Sequence, residues 1–263
     1  MLIYPNIDPV AFRLGPLEVH WYGIMYLLAF ISAWLMASRR CRRSDIPIRA
    51  EQVEDIVVYG ALGVVIGGRC GYVFFYNFDK WLGDPLWLFR LWEGGMSFHG
   101  GLIGVILAML IYARKHRQNF FDIADFIAPV VPLGLGFGRI GNFIGGELWG
   151  RPTDLPWGMV FPHVDDLARH PSQLYQAFLE GVLLFAIVFW FSSKPRPRMA
   201  VSAMFLIFYG IFRFSVEFVR QPDAHIPELI LGWMSRGQLL SIPMIMTGLL
   251  LLFFAYKRAR VPG

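Results

Sequence analysis

The chain has 263 residues, of which 56% are hydrophobic and only 16% charged, and its mean hydropathy is +0.50. Soluble domains are about a quarter charged, so the composition excludes an ordinary soluble fold and points to an all-α, polytopic membrane protein built as one domain over residues 1–263. The formal net charge of +5 would suggest nucleic-acid binding in a soluble chain. Here most basic residues fall in short joints between apolar runs, so nucleic acid is not an expected partner.

The first residues, MLIYPNIDPVAFRLGPLEVHWYG, lack the basic start, short apolar stretch and small-residue cleavage site of a removable signal. The first span is therefore expected to direct its own insertion. Apolar runs follow near 18–38, 55–76, 95–113, 122–145, 174–193, 200–219 and 238–256. A backbone in lipid must satisfy its own hydrogen bonds, so each run is predicted to be a transmembrane helix, about seven in all.

The joints set the direction. Arg39, Arg40, Arg42, Arg43 and Arg49 follow the first run, Arg114, Lys115 and Arg117 the third, Lys194, Arg196 and Arg198 the fifth, and Lys257, Arg258 and Arg260 the last. These joints are cytoplasmic by the positive-inside rule, which puts the N-terminus outside and the C-terminus in the cytoplasm. Arg69, Arg139 and Arg213 are left at membrane depth. The longer external segments, near 77–94, 147–173 and 220–237, carry Pro, Trp and acidic residues, and an external substrate is expected to meet them. Aromatic residues in HWYGIMY, FFYNF, PLWLFRLW and LGWM sit at run ends, as interfacial anchors do. Cys41 and Cys70 lie at different depths, and no disulfide is expected.

The stretch GFGRIGNFIGGELWGR, residues 136–151, matches the glycine spacing of a dinucleotide fingerprint. That fingerprint needs a soluble strand turning into a helix, whereas this one follows DFIAPVVPLGL inside an apolar run. Its glycines fit close helix approach or a polar cavity instead. An arginine at mid-span costs about 2.5 to 3.5 kcal/mol to insert. Arg139 therefore wants a partner or a wet site, and Asn142 and Glu147 cluster with it. His99 in EGGMSFHGGLIG is placed to act as a base or as a packing donor. Tyr209, Arg213, Glu217 and Arg220 form one stripe at helical spacing, read either as a self-neutralising Arg213–Glu217 pair or as a functional seam. Arg69 in GGRCGY, between Gly67 and Gly71, is a helix-packing anchor or a further cation for the site. Converging guanidiniums suit an anionic group, most simply the phosphate of a lipid. Asp122 and Asp125 in DIAD have no further ligands at metal spacing, and no G-x-S-x-G elbow is present. No metal is expected.

GRIGNFIGGELWG closely resembles the signature of the prolipoprotein diacylglyceryl transferase family, and the likeness extends in order to HWYGIMY, GGRCGYVFFYN, GGMSFHGGLIG, RHPSQLY and YGIFRFSVEFVRQPD. The resemblance implies a multi-pass enzyme of the bacterial inner membrane, its active site toward the periplasm. Such an enzyme moves the diacylglyceryl group of phosphatidylglycerol onto the lipobox cysteine of a prolipoprotein and releases glycerol phosphate. No cofactor is implied, and the enzyme is expected to be a monomer. Carried over by motif, the implied site residues are Tyr22, His99, Arg139, Asn142, Glu147, Gly150, Tyr209, Arg213 and Glu217, with Arg69 as a further substrate contact. His99, Arg139, Arg213 and Glu147 take the catalytic roles. One position departs from the family, which commonly has asparagine where this chain has Gly145. A transporter of an anionic solute or lipid is the rival reading of intramembrane arginines among glycines.

Overall fold

The structure is a computed structural model describing residues 2–15, 17–221 and 234–259. Each of the seven apolar runs folds mainly as helix. Helix α1 spans Trp21–Arg40, α2 Ala50–Tyr76, the short α3 Phe78–Gly83 and α4 Phe98–Lys115. Then come α5 (Phe120–Ile127) and α6 (Val131–Ile144). Helix α7 (Ser172–Gln176) continues through a π-helical turn at Ala177–Leu183 into α8 (Leu184–Phe191). Helices α9 (Ala200–Val216) and α10 (Arg236–Ala259) follow.

Among the described residues, five helical stretches are long and apolar enough to cross a membrane unaided: α1, α2, α4, the continuous Ser172–Phe191 and α10. Helices α5 and α6 pass only as a pair, a sixth span broken between them. The break falls at residues 128–130, where Pro129 and Pro132 remove backbone donors. The remaining run, α9, is apolar but has 17 residues, short of the ~20 that span hydrocarbon. The expected seven spans are thus five or six, plus one short helix.

The expectation of helices alone also omits some short strands. Strands β2 (Val10–Leu14) and β3 (Leu17–His20) form an antiparallel hairpin just ahead of α1. Residues 18–20, counted above as the start of the first run, are therefore strand. Strand β1 (Leu2–Ile3) pairs in parallel with β4 (Met159–Val160), which pairs antiparallel with β5 (Ala168–Arg169).

The described chain divides into two compact units, Met1–Met36 with Ile127–Gly263, and Ala37–Phe126. In the first unit, the small sheet is tied to the end of α6 by a buried cluster of Tyr4, Met159 and Phe161, against which Phe143 and Trp149 pack. The Tyr4 hydroxyl donates to the Ile144 carbonyl at 2.6 Å. A second cluster of Ala128, Leu184, Val188, Val201 and Tyr209 packs α8 against α9. In the second unit α2 and α4 meet along glycines: a Cβ on Gly63 would stand 2.7 Å from the Gly104 carbonyl oxygen, and one on Gly71 2.7 Å from the Gly100 Cα. Two backbones approach this closely only where side chains are absent.

Candidate active site

Helices α6, α7 and α9, all in the first unit, gather most of the sequence-predicted residues. Gly136 on α6 and Gly181 on the π turn face each other, and a Cβ on Gly181 would lie 2.7 Å from the Gly136 Cα. One turn beyond Gly136 is Arg139. Its Nε stands 3.5 Å from Oε2 of Glu180, a residue with no exposed side-chain surface. Glu180 Oε1 is 3.9 Å from Nη1 of Arg213 on α9. Arg213 turns its other terminal nitrogen to Glu217 at 2.5 Å, one helical turn further on. Glu217 also pairs with Arg220 at 3.4 Å and accepts from the Ser235 hydroxyl at 2.6 Å. Arginines on two helices are thereby joined through one buried carboxylate. Their side chains keep 18% and 16% of their surface exposed.

Tyr209 is buried beside this network and feels the charges of Glu180, Arg213, Arg139 and Glu217. Its ring stacks on Phe205 at 5.7 Å. Tyr22, in the first turn of α1, lies across the face of Gly141, where a Cβ would come within 2.9 Å of its ring. It is half-exposed, rests on Tyr26, and feels Glu147 and Arg139.

The segment after α6 is held by its backbone. The Asn142 carbonyl accepts from the Glu147 amide at 2.9 Å. Gln173 and Ser172, at the start of α7, donate to the Glu147 and Leu148 carbonyls at 2.6 and 2.7 Å. Gly146 adopts φ +66° with the His163 ring against it, a conformation that only glycine takes without strain. Gly145 has an ordinary φ of −75°, and a Cβ there would make only normal contacts, the nearest at 3.5 Å. An asparagine would fit at 145, so glycine is not demanded by the backbone. Gly150 is the opposite case, since a Cβ would come within 2.6 Å of both His170 and the Val219 carbonyl. Its amide donates to the His170 carbonyl at 2.8 Å. Arg169 locks this loop by donating to the Gly150 carbonyl at 3.2 Å, pairing with Asp165 and lying 4.5 Å over the Trp149 ring. The Arg169 guanidinium holds the Asp165 carboxyl below the usual carboxylate range, although burial pushes it the other way.

The second unit carries the other two predicted residues. Arg69 is 3% exposed, and its guanidinium donates to the carbonyls of Leu88 at 3.0 Å, Gly94 at 2.5 Å and Trp87 at 2.5 Å. It also stacks 4.7 Å over the Trp87 ring. Its donors are spent on fixing the chain between α3 and α4. His99 is the second residue of α4, whose N-cap is Ser97, with the Ser97 hydroxyl accepting from the Gly100 amide at 3.2 Å. The imidazole is exposed, and among the described residues the neighbouring Phe98 ring is its ring contact.

Glu180 escaped the sequence reading, and Arg169, Ser172 and Gln173, although inside the RHPSQLY motif, carried no assigned role there. Glu180 had a signal there, being a lone carboxylate inside AFLEGVLLF, which at membrane depth requires a reason. The last external segment expected above, 220–237, lies mostly outside the described residues.

Fold and site together define an integral membrane protein with a buried cationic centre suited to an anionic group. Residues 9–254 match the family model of prolipoprotein diacylglyceryl transferase. The chain is 61% identical over 267 residues to the phosphatidylglycerol–prolipoprotein diacylglyceryl transferase of Teredinibacter turnerae, covering 98% of this chain and 93% of the relative. It is 60% identical over 259 residues to the protein of the same name from Methylococcus capsulatus, covering 98% and 99%. The Acinetobacter baylyi protein of that name is also 60% identical, over 262 residues. The chain therefore belongs to the prolipoprotein diacylglyceryl transferase family, and it is a transferase.

Proposed function

We propose that this protein transfers the diacylglyceryl group of phosphatidylglycerol to the thiol of a prolipoprotein's lipobox cysteine. The observation that carries the reading is the pairing of Arg139 and Arg213 through Glu180, with part of each arginine side chain left exposed, in a chain of this family. The cysteine sulfur attacks the glyceryl carbon that bears the phosphate ester. The carbon–oxygen bond breaks as the carbon–sulfur bond forms, and glycerol phosphate leaves with the bonding electrons. The phosphate passes from one negative charge toward two. Guanidinium forks aimed at its oxygens thus stabilise the transition state more than the ground state.

A free thiol with a pKa of about 8.5 must lose its proton to attack. His99 is the proposed acceptor, with Glu147 or Glu217 as the alternative. Asn142 and Tyr22 are assigned to headgroup oxygens, Tyr209 to the network behind the arginines, and Gly150 to the close approach of the loop. Arg69 is assigned to holding the chain that leads into α4, because its donors are already engaged. The expected setting is the bacterial inner membrane, with chemistry on the periplasmic side, a monomeric enzyme and no cofactor.

The test is incubation of purified protein with phosphatidylglycerol and a lipobox peptide. The peptide is expected to gain the mass of one diacylglyceryl unit while glycerol phosphate appears. A folded protein that leaves the peptide mass unchanged would overturn the assignment.

A further inference from the structure

We infer that Glu180 sets the charge of the anion site: beyond the pairing of Arg213 with Glu217, its carboxylate lowers the positive charge that Arg139 and Arg213 present, matching the site to a phosphodiester rather than to the phosphomonoester that departs. This rests on the reading above, in which those two guanidiniums bind the lipid phosphate.

Geometry separates Glu180 from an ordinary clamp. A carboxylate that fixes a guanidinium does so through forked contacts near 2.7–2.9 Å, and Glu217 reaches Arg213 at 2.5 Å. Glu180 stands farther off, at 3.5 and 3.9 Å from the two arginines. Among the described residues, neither of its oxygens has a hydrogen-bond partner. What it supplies is charge, in a place with no exposed surface where charge is weakly screened.

The local fold brings it there. Glu180 lies within the π-helical turn Ala177–Leu183, and such turns reset the face that a helix presents. Gly181 beside it lets the turn touch α6 at Gly136. A buried carboxylate with no hydrogen bonds is costly, and packing alone would be served better by leucine or glutamine.

The consequence falls on the product. A phosphate monoester carries a second negative charge above its pKa of about 6, so without Glu180 the more positive site would bind glycerol phosphate tightly and slow its departure. Glu180 touches no substrate in this account. It acts through the arginines as a positioning residue.

The test measures inhibition by glycerol phosphate in the phosphatidylglycerol and lipobox-peptide assay, using the purified full chain. In Glu180→Gln, which keeps shape but not charge, the inhibition constant is expected to fall about tenfold or more. kcat and the KM for phosphatidylglycerol are expected to fall with it. A merely structural role lowers active enzyme without tightening inhibition, so an unchanged or weaker inhibition constant in a folded variant overturns the inference. Should that variant not fold, the unaltered protein reads the same quantity through dimethyl phosphate, a monoanion, and methyl phosphate, a dianion at pH about 8. The dianion is expected to inhibit less than about tenfold more strongly than the monoanion, and a preference of about tenfold or more would overturn the inference. Arg139→Lys and Arg213→Lys separate the two claims. Unchanged glycerol phosphate inhibition in both overturns the phosphate site itself. Weakened inhibition in both, without tightening in Glu180→Gln, overturns the Glu180 inference alone.

Discussion

His99 and Arg69 show how burial sorts polar residues that look alike in sequence. Both lie beside glycines at the same end of neighbouring apolar runs. Arg69 is 3% exposed, with its donors facing carbonyls, whereas His99 is exposed and, among the described residues, no backbone carbonyl claims its ring. A base must be reachable, and general-base catalysis contributes about 10²- to 10⁴-fold. His99→Ala is therefore expected to lower thioether formation by about 100-fold or more, with the variant inserted and purified in normal amount. Peptide mass analysis on matched quantities of protein checks this, and near-normal turnover would remove His99 from the mechanism. The arginine carries the opposite expectation, since its loss unfixes the chain from Trp87 to Gly95 and acts first on folding.

At the scale of elements, α2 and α4 are joined by backbone contact rather than by side chains. Gly67 faces Gly100 and Gly104, with Gly104 Cα 2.7 Å from where a Cβ would be. A valine there has nowhere to go unless the helices part, and overpacking of this kind costs about 1–3 kcal/mol. Gly67→Val is expected to lower the thermal midpoint of the purified protein, read by aggregation in detergent, whereas Gly60→Val, with the nearest atom at 3.7 Å, is expected to change it little. These helices were legible because lipid leaves a spanning backbone one solution, so an apolar run of sufficient length already implies its structure. The break between α5 and α6 was marked by Pro129 and Pro132 yet passed over, since the apolar run continues through it. The strands were not legible. Leu2–Ile3 and Met159–Val160 are two-residue pairs from distant parts of the chain, and no local periodicity reports such a pairing. Arg139 and Arg213 could be suspected from depth alone, but their common partner Glu180 depends on how α6, the π turn and α9 pack, which spacing along one helix does not encode.

For the whole molecule, the distribution of charge carries a statement about direction. The joint between α8 and α9 holds Lys194, Arg196 and Arg198, while the stretch from Glu147 to His170 holds Glu147, Asp154, Asp165 and Asp166 along with Arg151 and Arg169. Basic joints are retained on the cytoplasmic side during insertion, and acidic residues have little influence. The first joint is therefore expected inside, and the loop that follows α6 outside, together with the chemistry proposed for it. Lys194 and Asp166 are both exposed, which makes each a usable reporter once Cys41 and Cys70 are replaced by serine. In spheroplasts, a membrane-impermeant maleimide is expected to label Asp166→Cys at once and Lys194→Cys only after permeabilisation. The reverse order would invert the protein in its membrane, and the thiol acceptor would then have to be reached from the cytoplasm.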